Sequence, residues 1–319
     1  MEVEYQMSER HACRLVGLGR STHRYRLRKA GRDSELRTRL KELAAKRMRF
    51  GYRRLTAMLV REGMPANHKR VYRLYREEGL AMRIRQRRRI HWKGMVTRPA
   101  ATRPNERWSI DFVSDCVSPG KMIRMLTIVD ECTRECPAIE VDTSLGGLRV
   151  RRVLDRIVSA RGRPEAIVLD NGPEFRGRAL AAWSEERGVR LEFIQPGKPV
   201  QNAYVESFNG RLRDECLNAN WFTSLSDARR KIETWRQDYN QQRPHSSLDY
   251  LPPAEFARTQ AEMSASGKLV HGCWSRELKR RPLLQTSSPL KHELRTHIGI
   301  GTANGGTSRT SCKVLLPMS

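Results

Sequence analysis

No stretch of this chain approaches the roughly 20 consecutive apolar residues that a membrane-spanning helix requires. Its start, Met1-Glu2-Val3-Glu4, is acidic where an export signal is basic and then apolar. A paired cysteine framework is also missing. The seven cysteines are odd in number and scattered, and the one close pair, Cys132 and Cys136, has no second Cys/His pair at zinc spacing. These absences exclude a disulfide scaffold and a structural zinc module, and they predict a reducing, cytoplasmic setting without a membrane partner. No histidine occurs between His91 and His245, so that region lacks the commonest general base. Acid is scarce as well: 35 Asp plus Glu face 61 Lys plus Arg, a formal net charge of +26 over 319 residues. A soluble chain this basic repels itself unless a polyanion neutralises it, and nucleic acid is the commonest such partner. Charge that served only solubility would be spread evenly. Instead, residues 1–105 hold 29 Lys/Arg against 9 Asp/Glu, a surplus of 20 in the first third.

What is present divides into a helical and a mixed region. Ser8 can cap a helix burying Ala12, Leu15 and Val16; Gly17-Leu18-Gly19 breaks it, and Ser21 can cap a second helix carrying Arg24, Arg26 and Arg28. Leu36, Leu40 and Leu43 recur at helical spacing, as do Tyr52, Leu55, Met58 and Leu59. After Gly63-Met64-Pro65, Asn67 can cap a helix with Val71, Leu74 and Tyr75 inward and Lys69, Arg70, Arg73 and Arg76 outward. A short helix, a Gly-containing turn and a basic second helix are the parts of a DNA-reading helix-turn-helix. Five arginines between Arg83 and Arg89 add an arm suited to phosphates. Residues 94–105 read as a linker.

Beyond the linker the period turns strand-like. Trp108 to Val113 alternates, with Trp108, Ile110 and Phe112 on one face and Asp111 on the other. Strands are expected at Met122 to Val129, at Ala138 to Val141, in the wholly apolar run from Ala166 to Leu169, and at Val189 to Ile194. Helices are expected around Leu148 to Ser159, Arg178 to Arg187, from about Gln201, and over Ser226 to Tyr239. Strands in sequence followed by alternating helix and strand imply an α/β domain with a mixed sheet. From Thr259 onward no period persists, and disorder is expected.

Three carboxylates stand out in that domain. Asp111 lies mid-strand, Asp170 ends the apolar run just before Asn171-Gly172, and Glu206 lies on the helix thirty-five intervening residues later. On that helix Asn202, Glu206, Asn209 and Arg213 share one face, while Val205, Phe208 and Leu212 form the face that docks on the sheet. Acids gathered at strand ends repel unless cations sit between them, and hard oxygen donors suit Mg²⁺ or Mn²⁺. Two such ions can clamp a phosphoryl displacement without a histidine base or a nucleophilic side chain. Taken alone, an Asp at a strand end is usually a turn residue and a Glu on a helix usually a solvated one; the arrangement of the three within one fold is what points to a site.

These residues also match a known family. Arg49-Phe50-Gly51-Tyr52-Arg53-Arg54-Leu55, Trp108-Ser109-Ile110-Asp111-Phe112, and Leu169-Asp170-Asn171-Gly172-Pro173-Glu174-Phe175 carry the resemblance. Asn202 to Gly210 and the run from Tyr239 through Arg243-Pro244-His245 to Leu248 complete it. The chain resembles the OrfB-type transposases of the IS-three insertion-sequence family, within the retroviral-integrase-like superfamily. The resemblance covers roughly residues 8–258. It implies an RNase H-like catalytic domain in which Asp111, Asp170 and Glu206 form a catalytic triad holding two Mg²⁺ or Mn²⁺ ions. It further implies that Arg213 contacts DNA; Asn202, Lys198, Lys69, Arg70, Arg73 and Arg76 are further candidate DNA contacts. Expected partners are double-stranded DNA at element ends and target, the product of the upstream frame, and further copies of the chain. The expected location is the bacterial nucleoid.

The organisation expected is a helix-turn-helix segment at 1–30, a helix-turn-helix DNA-binding domain at 31–93, the linker, and a catalytic core at 106–218. A helical extension at 219–258 and a disordered tail at 259–319 follow. The tail looks foreign to the family and is expected to reflect a frame change or a lost stop. The rival expectation is a DNA-binding remnant that acts as a repressor without chemistry; a nuclease that cuts without joining is a third.

Overall fold

A computed structural model of the chain describes residues 7–24, 33–82, 99–195 and 199–265. Arg26, Arg28, the basic run Arg83–Arg89, Lys198 and everything after residue 265 lie outside the described residues.

The chain begins with two short helices, α1 (Glu9–Leu15) and α2 (Arg20–His23). Ser8 caps α1, its Oγ accepting from the His11 amide. The inward face expected of α1 is corrected: Ala12 and Cys13 are buried, whereas Leu15 and Val16 are well exposed. A seven-residue helix offers barely two turns, too few to bury both its first and its last apolar residues against one neighbour. Gly19, not Ser21, occupies the cap of α2, so the second helix starts two residues earlier than expected.

Three helices then pack around one small core: α3 (Ser34–Lys46), α4 (Tyr52–Arg61) and α5 (His68–Glu77). Leu40, Leu55, Leu59, Val71 and Leu74 are wholly buried in it. Asn67 caps α5 as its sequence predicts, accepting from the Lys69 amide at 2.9 Å. The bundle is tied to the rest of the chain by ion pairs from Arg47 to Asp238 and, at 2.8 Å, from Arg61 to Glu255.

A five-stranded sheet follows, built from β1 (Arg107–Val117), β2 (Lys121–Asp130), β3 (Ala138–Asp142), β4 (Ala166–Leu169) and β5 (Arg190–Phe193). Its order is β3-β2-β1-β4-β5, with β1, β2 and β3 antiparallel and β4 and β5 parallel to β1. A helix between β3 and β4, α6 (Gly147–Arg161), and one between β4 and β5, α7 (Arg178–Arg187), cover one face. Trp108, Ile110, Ile167 and Leu169 point into that layer. The other face takes α8 (Ala203–Glu215) and α9 (Leu225–Gln241), which close over Val113, Val117, Met125 and Val129. Mixed pairing with helices on both faces is the RNase H-like architecture the sequence implied.

Residues of the expected extension 219–258 share this second core, because Phe222, Ile232, Trp235 and Tyr239 pack on Phe208 and Leu212 of α8. The last described helix, α10 (Pro253–Ala265), runs past the boundary expected at residue 258. Phe256 and Gln260 are buried along it, which gives the chain beyond Thr259 a packing role that its composition does not reveal.

Ile167 is wholly buried in the central parallel strand. Its replacement by Ala is expected to cost roughly 2–5 kcal/mol of unfolding free energy in urea. A loss below about 1 kcal/mol would place that strand outside the cooperative core.

Candidate active site

The β-sheet register brings the first two acids together. Pairing of β1 with β4 runs from Arg107 opposite Ala166 to Ser109 opposite Val168. Carried forward, the same register sets Asp111 level with Asp170 on neighbouring strands, which lie about 4.8 Å apart. Asp111 lies on the β1 face that carries Val113, the face on which α8 docks. Helix α8 is anchored from beneath by Val205, Phe208 and Leu212, all essentially buried. Glu206, one residue past Val205, is left exposed at the same end of the sheet.

Asp111 is firmly held. The Phe112 amide donates to its Oδ1 at 2.8 Å, and Asn209 Nδ2 donates to its Oδ2 at 2.9 Å. Asn209 is itself oriented by the Thr127 hydroxyl, 2.9 Å from its Oδ1, and Thr127 stands opposite Asp111 in the β1–β2 ladder. Asp170 accepts from the Gly172 amide at 3.0 Å. A Cβ on Gly172 would lie 3.0 Å from that carboxylate oxygen and 3.3 Å from Glu174, so any larger residue there would crowd both carboxylates. Asn171 braces the loop by donating to the Ile194 carbonyl at 2.8 Å, and Glu174 is held by Arg124 at 2.5 Å.

In a chain with 61 Lys plus Arg, none of Asp111, Asp170 and Glu206 forms an ion pair among the described residues. Burial pushes the Asp111 carboxyl up from 3.8 to about 6; the Phe112 amide pulls back, and the like charges of Asp170 and then Glu206 push further. Partial burial also raises Glu206. Asp111 therefore feels the charges of both other acids. As placed, no three His, Cys, Asp or Glu side chains among the described residues stand close enough to hold a metal ion. The Glu206 side chain makes no hydrogen bond among the described residues, so its carboxylate can still move.

The candidate DNA contacts divide. Arg213 is exposed, without an ion pair among the described residues, and lies on the Glu206 face of α8, two turns on. Lys69 and Arg76 are likewise exposed on α5. Arg70 and Arg73 both pair with Asp33, Arg73 at 2.6 Å, so they also hold the bundle together. Asn202 is only 3 % exposed: it sits beneath the helix start and donates to the Ile110 carbonyl at 3.4 Å, so that it braces the start of α8 against β1. Lys198 lies outside the described residues. Of the two residues that hold Asp111, the sequence places Asn209 on the Glu206 face without giving it a role, and it does not single out Thr127. The signal was present, since Asn209 lies three residues past Glu206 on one helix face, but only the β1–β2 register shows what it meets.

A mixed sheet carrying unpaired acids at one end and joined to a basic three-helix bundle defines a DNA-handling protein of the integrase-core class. Two family models described as "Integrase core domain" match residues 101–199 and 187–253, and one described as "HTH-like domain" matches residues 32–88. A 31.7 kDa protein of insertion element IS407 from Burkholderia multivorans is 55% identical over 253 residues, covering 79% of this chain and 91% of its own length. The putative transposase InsK of element IS150 from Escherichia coli is 29% identical over 258 residues, 76% of this chain and 91% of that protein. Among solved structures, the HTLV-2 integrase catalytic core in complex with magnesium is similar at 17% identity and a TM-score of 0.40, over 49% of this chain and 97% of that one. The chain belongs to the OrfB-type transposases of the IS-three insertion-sequence family, whose business is DNA transposition.

The raised Asp111 carboxyl has a measurable consequence. A folded-state carboxyl raised above its unfolded value binds a proton that the unfolded chain has already lost, so stability falls as pH rises from about 4 to about 6. Asp111→Asn removes that dependence. In EDTA, the unfolding free energy of the variant minus that of the wild type is expected to rise by up to about 3 kcal/mol between pH 4 and pH 7. A difference that stays flat over this range would show that the Asp111 carboxyl is not raised by its buried site.

Proposed function

We propose that the chain cuts and joins the DNA of its own insertion sequence: it hydrolyses a phosphodiester at the element end and joins the resulting 3′-hydroxyl to target DNA. The observation that carries this reading is the set of three carboxylates at one sheet end, left without cationic partners in a protein otherwise rich in arginine.

Asp111, Asp170 and Glu206 are the proposed catalytic residues. They are hard oxygen donors with no histidine or thiolate among them, a set suited to Mg²⁺ or Mn²⁺. Asp111 and Asp170 would hold two ions jointly, and Glu206, which no hydrogen bond restrains, would complete the second site. Two such ions, when bound, supply positive charge to the attacking and leaving oxygens of an in-line phosphoryl displacement.

The remaining work falls to the protein. The Phe112 amide and Asn209 keep both Asp111 oxygens oriented toward the sheet end. Arg213, exposed on the Glu206 face, is placed to hold a backbone phosphate beside the acids. Lys69 and Arg76 on α5 would fix the bundle on the element end, with Arg70 and Arg73 dividing their charge between Asp33 and DNA. No protein nucleophile is required. Burial pushes the Cys132, Cys136 and Cys216 thiols up to about 12, so they stay protonated, and His245 is buried and neutral. Water and then the DNA 3′-hydroxyl are the attacking groups. Bringing two element ends together calls for more than one copy of the chain, and the upstream-frame product is the proposed helper.

The test is strand transfer on a labelled element-end duplex with Mg²⁺, comparing the wild type with Glu206→Gln. The variant keeps size but loses a charged ligand, so joined product should fall by about a thousandfold, the effect of several kcal/mol of lost transition-state stabilisation. DNA binding should persist. A wild type that binds the duplex and yields no product, even with the upstream-frame protein added, would overturn the proposal in favour of a DNA-binding remnant.

A further inference from the structure

A second charge cluster lies on the other flank of α8, and the proposed chemistry makes no use of it. At about 100° per residue, Tyr204, Arg211 and Glu215 fall roughly 140–180° around the helix from Glu206. Against that flank come Arg54 from α4, Arg134 from the turn after β2, and Arg243 from the segment after α9. Glu215 is the acid that pairs here: it accepts from Arg243 Nε at 2.7 Å and Nη2 at 2.6 Å, and lies 3.8 Å from Arg54 Nη1. Arg211 donates only to Ser207 of its own helix, and Arg134 lies 4.0 Å over the Tyr204 ring without an ion pair among the described residues.

Of the four guanidinium groups, Arg243 and Arg54 thus share one carboxylate, and Arg134 and Arg211 have none among the described residues. The arginine side chain at the centre, Arg243, is 1% exposed and sandwiched between Phe50 and Tyr239. Its Nη1 and that of Arg134 are buried with no hydrogen-bond partner. His245 beside them is pushed down to about 3, first by burial and then by Arg211, Arg243, Arg134 and Arg54 in turn, so it adds no charge and cannot balance any. Removal of guanidinium charge from water without an anion is expensive, and unpaired buried N–H donors add to that cost. The missing component is therefore an anion with several acceptor oxygens. A phosphate matches the planar donor pairs of Arg134 and Arg243, as guanidinium–phosphate pairing requires.

We infer that Arg54, Arg134, Arg211 and Arg243 form a binding pocket for a DNA-backbone phosphodiester at the junction of the three-helix bundle and the catalytic domain. The occupant is a DNA phosphate rather than a free anion because the pocket joins the two DNA-handling parts. Arg54 belongs to the bundle, and Arg211 lies about 7.5 Å along α8 from Glu206. The bound phosphate is not the one being cut, since the pocket faces away from Glu206; it fixes the strand where it passes from bundle to catalytic domain. Its identity as DNA rests on the function proposed above, but its existence does not depend on the three acids.

The full chain, in EDTA so that no chemistry intervenes, is titrated against a fluorescent element-end duplex over a range of salt concentrations. Arg134→Gln and Arg211→Gln should each weaken binding and flatten the plot of log affinity against log salt by about 0.9, the signature of one lost phosphate contact. Neither arginine holds a carboxylate, so both variants should fold. With one like charge removed, their DNA-free melting temperatures should not fall below that of the wild type. Sulfate should raise the wild-type melting temperature over chloride at equal ionic strength, and should do so less in Arg134→Gln. Wild-type salt slopes in both variants would overturn the inference, even if sulfate stabilises the protein and thereby marks a free-anion site. Variants that melt well below the wild type, with no sulfate effect, would make the cluster a clamp between domains. Flattened slopes in a protein that never joins DNA would sustain this inference while the proposed function fails.

Discussion

Everything at the candidate active site depends on the parallel register between β1 and β4. A slip of one residue would move Asp111 to the opposite face and out of level with Asp170, because side chains alternate along a strand. Packing holds that register. Ile167 and Leu169 are wholly buried on the α6 and α7 side, with Trp108 and Ile110 beside them, so a slip of either strand would turn its two large apolar groups away from their core. The short apolar strand is thus the ruler against which two carboxylates are aligned, and its burial on both faces makes the ruler stiff.

Helix α8 then gives the site its third member and gives the protein its electrostatic character. The helix is anchored through one apolar stripe and presents an acid near its start on one flank and arginines on another. Among the described residues the chain gives the three acids no cation and the four arginines one carboxylate, Glu215. Burial, with the like charges of Asp170 and Glu206 adding to it, raises Asp111 to about 6, and burial followed by the charge of Arg243 lowers Arg54 to about 10. A protein selected only for stability would cross-pair these groups, since Arg–carboxylate contacts are plentiful elsewhere, as at Arg149 to Glu140 and Arg161 to Glu135. Keeping the two clusters apart leaves the folded state short of cations on one flank and of anions on the other. In the function and the phosphate site proposed here, divalent metal and DNA would supply the two missing charges.

Much of this could be read along the chain, and the reason lies in the period of each element. Asp111 and Asp170 are legible because strand alternation and an apolar run flag their neighbours, and Glu206 because the i, i+3, i+4 spacing separates its helix face from Val205, Phe208 and Leu212. The caps at Ser8 and Asn67 are local and were equally readable. Contacts distant in sequence were not. Asn209 looks like one more polar residue on a helix until the antiparallel ladder places Thr127 beneath it, and Asn202 looks like a surface donor until the 3-10 turn before α8 buries it. The exposed Leu15 and Val16 show the same limit from the other side, since apolar spacing says which residues could be inside but not what there is to cover them.

The arginine cluster was the least legible feature, although one of its members lies in a segment that stood out in the sequence. Arg243-Pro244-His245 reads as a helix stop, with proline ending α9 and a cation near the last carbonyls. The fold makes something else of it by returning that segment under the bundle, where Phe50 and Tyr239 clasp Arg243 and Glu215 takes one edge of its guanidinium. The other edge is left facing inward without an acceptor. Had the arginine served only to end a helix, its side chain would lie in water, where a guanidinium is cheapest to keep. Its burial with a free donor edge is a cost that the interface of bundle and catalytic domain bears in the DNA-free state, and an anion arriving with the DNA would remove it. On that argument the two domains hold each other best when a strand runs between them.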